Sequence, residues 1–142
     1  MKAKTTEEQG ALLTAHAAFD RLYEKQGSDI RVYDYHGQGG MTEFYVVVTG
    51  RSRTHTAALC DDLSTYLSDR GMPPLRTEGL RGGEWILVDC GDVIVHILDR
   101  PTRDFYRLDK LYEDAQLDTS SWLASVGEKL KSNDKTEKDT ER

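Results

Sequence analysis

The chain has 142 residues, enough to bury one core of ordinary size and too few for two domains joined by a linker. Its content of 37% hydrophobic and 31% charged residues is that of a globular protein. A formal net charge of −6 argues against a broad grip on nucleic acid, which needs Lys and Arg gathered to neutralise phosphates.

From Thr6 to Gln26 the apolar positions Leu12, Ala15, Phe19, Leu22 and Tyr23 recur at steps of three and four, the signature of one helix face, and Gly27 is placed to end that helix. Residues 29–35 alternate around Ile30 and Val32 as a strand, the glycine-rich stretch from His36 to Gly40 makes a turn, and Glu43–Thr49 is a β-branched and aromatic run suited to a buried strand. Gly50 breaks that run. Ser52 or Thr54 can cap the helix that follows, with Ala57, Ala58, Leu63, Tyr66 and Leu67 on its buried face and Gly71 and Pro73-Pro74 stopping it. A short strand is expected near Leu75. Glu84–Cys90 and Asp92–Leu98, separated by little more than Gly91, spell a tight antiparallel hairpin, the strongest local signal in the chain.

Pro101 can open a helical turn through Phe105, Leu108, Leu111 and Tyr112. Beyond residue 117 the chain turns polar and charged, so a domain over 1–117 is expected, followed by a largely disordered tail over 118–142. Trp122, Leu123, Val126 and Leu130 nevertheless keep helical spacing there, and a short docking helix is an option. Together the elements describe an α/β fold, a mixed sheet of about five strands flanked by helices.

Cofactor and metal chemistry find little support. The two cysteines, Cys60 and Cys90, lack CxxC spacing and read as reduced core residues; His16, His36, His55 and His96 lack the spacing of zinc ligands. Gly50-Arg51-Ser52 between a strand and a helix could hold a phosphate, but the carboxylate pair that a Mg²⁺-dependent nucleotidyltransferase needs one residue apart is missing: Asp61 and Asp62 are adjacent, in a predicted helix. No cofactor is expected. Ser52 and His55 have no acidic orienter for nucleophilic catalysis. The N-terminus has no apolar run of signal-peptide length, and no segment approaches the roughly 18 apolar residues of a membrane span, which points to the cytoplasm and away from membranes.

Trp85, Leu87 and Asp89 alternate to one face of their strand, and Ile86 and Val88 to the other. If the latter pair faces the helices, the Trp85 face needs a cover or a partner, since Trp is both a core residue and a common interface anchor.

In order along the chain, Thr42–Gly50, Ser52 with His55, Glu78-Gly79, Trp85–Asp89, Gly91–His96, Arg103–Tyr106 and Leu108–Tyr112 resemble the successive blocks of the RsfS/Iojap family of ribosomal silencing factors. The resemblance spans Leu12 to Ala115. It implies a nucleotidyltransferase-like fold without the catalytic carboxylates, and a protein that is not an enzyme. It also implies docking on the universal large-subunit protein number fourteen at the intersubunit face. Joining of the small subunit would thereby be blocked, repressing translation, or large-subunit maturation assisted; some family members form homodimers.

The positions that match and could form the docking surface are Trp85, Leu87, Asp89, His96 and Leu98. Arg51 and Arg53 are limited to local ribosomal RNA contacts. Glu43 for the family's Asp, Arg51 for a small polar residue and Tyr112 for a frequent Trp are departures in local detail. The alternative is a nucleotide-binding or nucleotidyltransferase enzyme using the Gly50–Ser52 turn.

Overall fold

The computed structural model describes residues 6–38, 40 and 42–128. In chain order these form α1 (Thr6–Glu24), β1 (Ser28–Asp34), β2 (Phe44–Gly50), α2 (Arg53–Asp69), β3 (Arg76–Glu78), β4 (Trp85–Asp89), β5 (Val93–Asp99), α3 (Arg100–Tyr106) and α4 (Leu108–Leu111), then a 3₁₀ turn over Glu113–Ala115 and a helical segment over 120–128.

Helix ends follow their capping chemistry. Gln26, with φ of 69°, takes the left-handed position after α1, and the Gly27 N–H returns to the Leu22 carbonyl at 2.8 Å, closing a Schellman motif. Gly27 therefore serves space and not φ: a Cβ there would lie 2.6 Å from Cγ2 of Val48. Of the two candidate caps for α2, Ser52 is the one used, its Oγ accepting from the His55 N–H at 3.1 Å. Gly71, with φ of 75°, ends α2 while the Met72 N–H reaches the Leu67 carbonyl at 2.8 Å.

The five strands lie in the order β1-β2-β5-β4-β3. β2 and β5 pair in parallel and the remaining neighbours are antiparallel, with β4 and β5 forming the expected hairpin. The sheet is thus mixed, as the sequence indicates.

One face of the sheet, including Val46, Val48, Ile86, Val88, Val95 and Ile97, packs on α1, α2 and the 120–128 helix. α1 contributes Ala11, Ala15, Ala18, Phe19 and Leu22, and α2 contributes Thr56, Leu59, Cys60, Leu63 and Leu67. Both helical faces are rotated slightly from the expected ones. Tyr23 is 40% exposed and Ala58 is exposed, because the stripes that face the sheet run through Ala11, Ala15, Ala18 and Leu22 and through Thr56, Leu59, Cys60, Leu63 and Leu67, leaving these two positions outside them.

The packed chain also runs past residue 117. Trp122 and Val126, on the 120–128 helix, are buried in the same core, with Trp122 edge-on to Phe19 at a centroid distance of 5.4 Å and stacked on His16 at 3.5 Å. Leu130 and the stretch 132–142, expected to be disordered, lie outside the described residues.

Candidate functional site

Paired residues on neighbouring strands point to the same side of a sheet, so the register places the second face in rows. One row runs Arg76, Asp89, Ile94, Tyr45, Tyr33; the next runs Glu78, Leu87, His96, Val47, Arg31; a third holds Trp85, Leu98 and Thr49. Among the described residues, only part of this face is covered.

The cover is α3, α4 and the 3₁₀ turn. Leu108 packs on Tyr33, Val47 and Leu98, with Tyr112 and Ala115 against them. Arg103 fastens the cover from inside. Its side chain is 1% exposed, and Nε and Nη2 each reach an Asp109 carboxylate oxygen at 2.8 Å. Nη1 donates to the Asp29 carbonyl at 2.7 Å and to Oγ1 of Thr49 at 2.9 Å, and the Tyr33 hydroxyl donates to Asp109 at 2.6 Å. Burial alone would raise the Asp109 carboxyl; the Arg103 and Tyr33 hydrogen bonds outweigh it and hold the group below the usual carboxylate range. Burial, then the bond to Asp109, pushes the Tyr33 phenol up.

Arg107 interrupts this cover. With φ of 52° it sits in the left-handed region between α3 and α4, so residues 105–112 do not share the single apolar helix face expected of them. Leu108 turns inward, while Phe105 is 78%, Tyr106 55% and Leu111 70% exposed.

The result is a belt of rings across the half-open face. The Phe105 and Tyr106 centroids are 5.0 Å apart, Tyr106 and Trp85 4.9 Å, Trp85 and His96 5.9 Å, His96 and Tyr45 5.8 Å, and Tyr45 stacks on Tyr112 at 4.6 Å. A depression of about 400 Å³ opens at each end, one beside Arg53, Trp85 and Phe105, the other beside Tyr35, Tyr45 and Leu111. The belt is apolar and ring-lined, a composition typical of protein interface cores.

His96 lies at the middle of the belt and is 5% exposed. Its Nδ1 accepts from the Trp85 Nε1–H at 3.1 Å, and its Nε2 has no hydrogen-bond partner among the described residues. Burial lowers its pKa to about 4, so the ring is neutral at physiological pH.

Among the residues singled out from the sequence, the fold brings Trp85, Leu87 and His96 together on this face, with Trp85 and Leu87 half-buried. Leu98 shares the face but is completely buried beneath the cover and offers no contact surface. Asp89 is at the far end of β4, accepting from Arg76 Nε at 3.1 Å and from the Gly91 N–H at 2.8 Å, where it shapes the hairpin turn. The surface roles of Tyr45, Phe105, Tyr106 and Leu111 and the anchoring role of Arg103 are not among those the sequence pattern indicates. The adjacent Phe105-Tyr106 pair was the available signal, since no single helix face buries two neighbours.

The Gly50–Ser52 turn has a structural explanation. Ser52 Oγ caps α2, the Arg51 N–H donates to His55 Nδ1 at 2.9 Å, and a Cβ at Gly50 would meet Thr56 Cγ2 at 2.7 Å. Asp62 spends both carboxylate oxygens on Arg21, at 2.7 and 2.8 Å. Among the described residues no group of three or more His, Cys, Asp or Glu could hold a metal ion, and no helix is long and apolar enough to cross a membrane.

Residues 6–142 match the family model described as "Ribosomal silencing factor during starvation". The chain is 36% identical over 87 residues to the ribosomal silencing factor RsfS of Haemophilus influenzae, covering 61% of this chain and 85% of that one. It is 29% identical over 94 residues to the mouse protein named "Mitochondrial assembly of ribosomal large subunit protein 1", covering 64% of this chain and 41% of that one. A crystal structure of a Chromobacterium violaceum protein superposes with a TM-score of 0.69 at 30% identity, covering 72% of this chain and 86% of that one.

Proposed function

The chain belongs to the family of ribosomal silencing factors, and from that membership we propose that it works by occupation and not by catalysis: the ring belt docks on a protein of the large ribosomal subunit at the intersubunit face. The bulk of the domain then stands where the small subunit would join. No bond is made or broken.

One observation carries this reading, the belt from Phe105 through Trp85 and His96 to Tyr112. Protein surfaces rarely expose adjacent large rings without a use for them, and buried aromatic anchors dominate binding energy where interfaces form. A net charge of −6 adds direction, since it favours a basic protein partner over RNA. The name of the mouse relative points to the large subunit. The partner by family resemblance is the universal large-subunit protein number fourteen. Arg53 lines the depression at one end of the belt and would add a local contact to ribosomal RNA there, with Arg51, whose guanidinium donates to Gln26 Oε1 at 2.8 Å, adding another, and the site of action is the cytoplasm.

The test is to mix purified protein with separated ribosomal subunits and follow joining by sedimentation. Saturating protein should leave the subunits apart, and undiminished formation of joined ribosomes overturns the proposal. A homodimer would bury the same rings. Light scattering with and without large subunits separates the two, because docking should compete with self-association.

A further inference from the structure

We infer that His96 supplies the directional hydrogen bond of the docking face, its Nε2–H donating to a neutral acceptor, a backbone carbonyl, of the protein segment that seats on the ring belt. The inference rests on the docking reading and adds to it the chemistry that is recognised.

The indole fixes the tautomer. A neutral imidazole has one donor and one acceptor nitrogen, and Nδ1 is occupied as the acceptor of the Trp85 Nε1–H, so the proton resides on Nε2. That donor is buried and finds no acceptor among the described residues. Buried N–H groups are nearly always paired, and an orphan is costly to keep. It lies, moreover, on the one sheet face that the protein's own helices leave half open, between Leu87 on one strand and Tyr45 stacked beside it. The side chains over Nε2 keep bulk water from it. An acceptor therefore arrives when a docking segment parts them.

The acceptor is neutral for two reasons. The arginines that share these rows of the sheet are already paired, Arg76 with Glu78 and Asp89 and Arg31 with Asp29, and the chain carries a net charge of −6, so among the described residues an incoming carboxylate meets no free cation there. A carboxylate would also favour imidazolium, which requires a proton on Nδ1 and would break the bond from Trp85. A carbonyl on a segment of a basic protein meets neither obstacle.

Two substitutions separate the ring nitrogens. Asn at position 96 places its amide near Nδ1 and keeps an acceptor for the indole while losing the outer donor; Gln places its Nε2 near the histidine Nε2 and keeps the donor while losing the indole's acceptor. Binding to purified large subunits should fall about tenfold or more for His96→Asn and stay within about threefold for His96→Gln. Thermal stability of the free protein should run the opposite way, with His96→Asn the more stable of the two. Equal binding by both variants, or binding that simply follows stability, overturns the inference. Phe105→Ala is the control: if it weakens binding while both His96 variants bind normally, the His96 inference falls and docking stands, and if all three bind normally the docking reading falls with it.

Discussion

The Trp85 indole and the His96 imidazole are joined at 3.1 Å, although Trp85 pairs in register with Leu98 and His96 with Leu87. They are diagonal neighbours across β4 and β5, a spacing that only long or aromatic side chains bridge. The bond holds the indole on the half-open face and, by accepting, makes His96 a neutral donor.

Stability should consequently depend on pH through His96. Its folded pKa, about 4, lies below the ordinary value of 6.5, so the unfolded chain binds the proton first as pH falls and the folded state loses ground from pH 6.5 downward until its own ring titrates. Between pH 7.5 and 5 the loss should be on the order of 2 kcal/mol. Urea unfolding at both pH values checks it, with His96→Gln expected to show a smaller drop than the unmodified protein.

Arg103 should be the most sensitive residue in α3. Removing one partner of a buried ion pair leaves the other uncompensated, at a cost of about 3–5 kcal/mol, so Arg103→Leu should unfold at much lower urea. Arg103→Lys should recover little, because one ammonium cannot replace a fork that reaches Asp109 twice and also the Asp29 carbonyl and Thr49. A Lys variant as stable as the original protein would show that the fork geometry is immaterial.

Gly79→Ala should damage both folding and docking. Gly79 has φ of 88°, and a Cβ there would come within 2.0 Å of the Trp85 carbonyl oxygen. Backbone must move, and it is the backbone that carries Trp85. Lowered thermal stability together with weaker large-subunit binding is the expected pair of results.

Phe105→Ala should separate the two properties. With the side chain 78% exposed, its loss should change stability by less than about 0.5 kcal/mol while reducing affinity for large subunits. Unfolding midpoints and binding curves on the same samples measure both.

Trp122→Ala should reveal how far the domain extends. The indole is 7% exposed against Phe19 and His16, so truncation should cost about 3–5 kcal/mol, whereas a side chain on a loose tail would cost nothing.

Much of this protein is legible in its residues. Period-two alternation at Trp85–Asp89 and Val93–Asp99 with Gly91 between them specifies the hairpin, Ser52 or Thr54 marks a helix start, and the ordered blocks specify the family, because each signal is carried by residues close together in the chain. Alternation also places Trp85, Leu87, His96 and Leu98 on one face. It cannot say which of them another element will cover. Leu98 is sealed and Leu87 left half open because α3 and α4, later in the sequence, come to rest over one side of the sheet and not the other. Likewise Arg103 reads as one more surface charge until folding brings Asp29 and Thr49 to its guanidinium. The unpaired Nε2 of His96 exists only by exclusion of solvent, and burial and pairing are set by contacts between distant segments, which local periodicity does not encode.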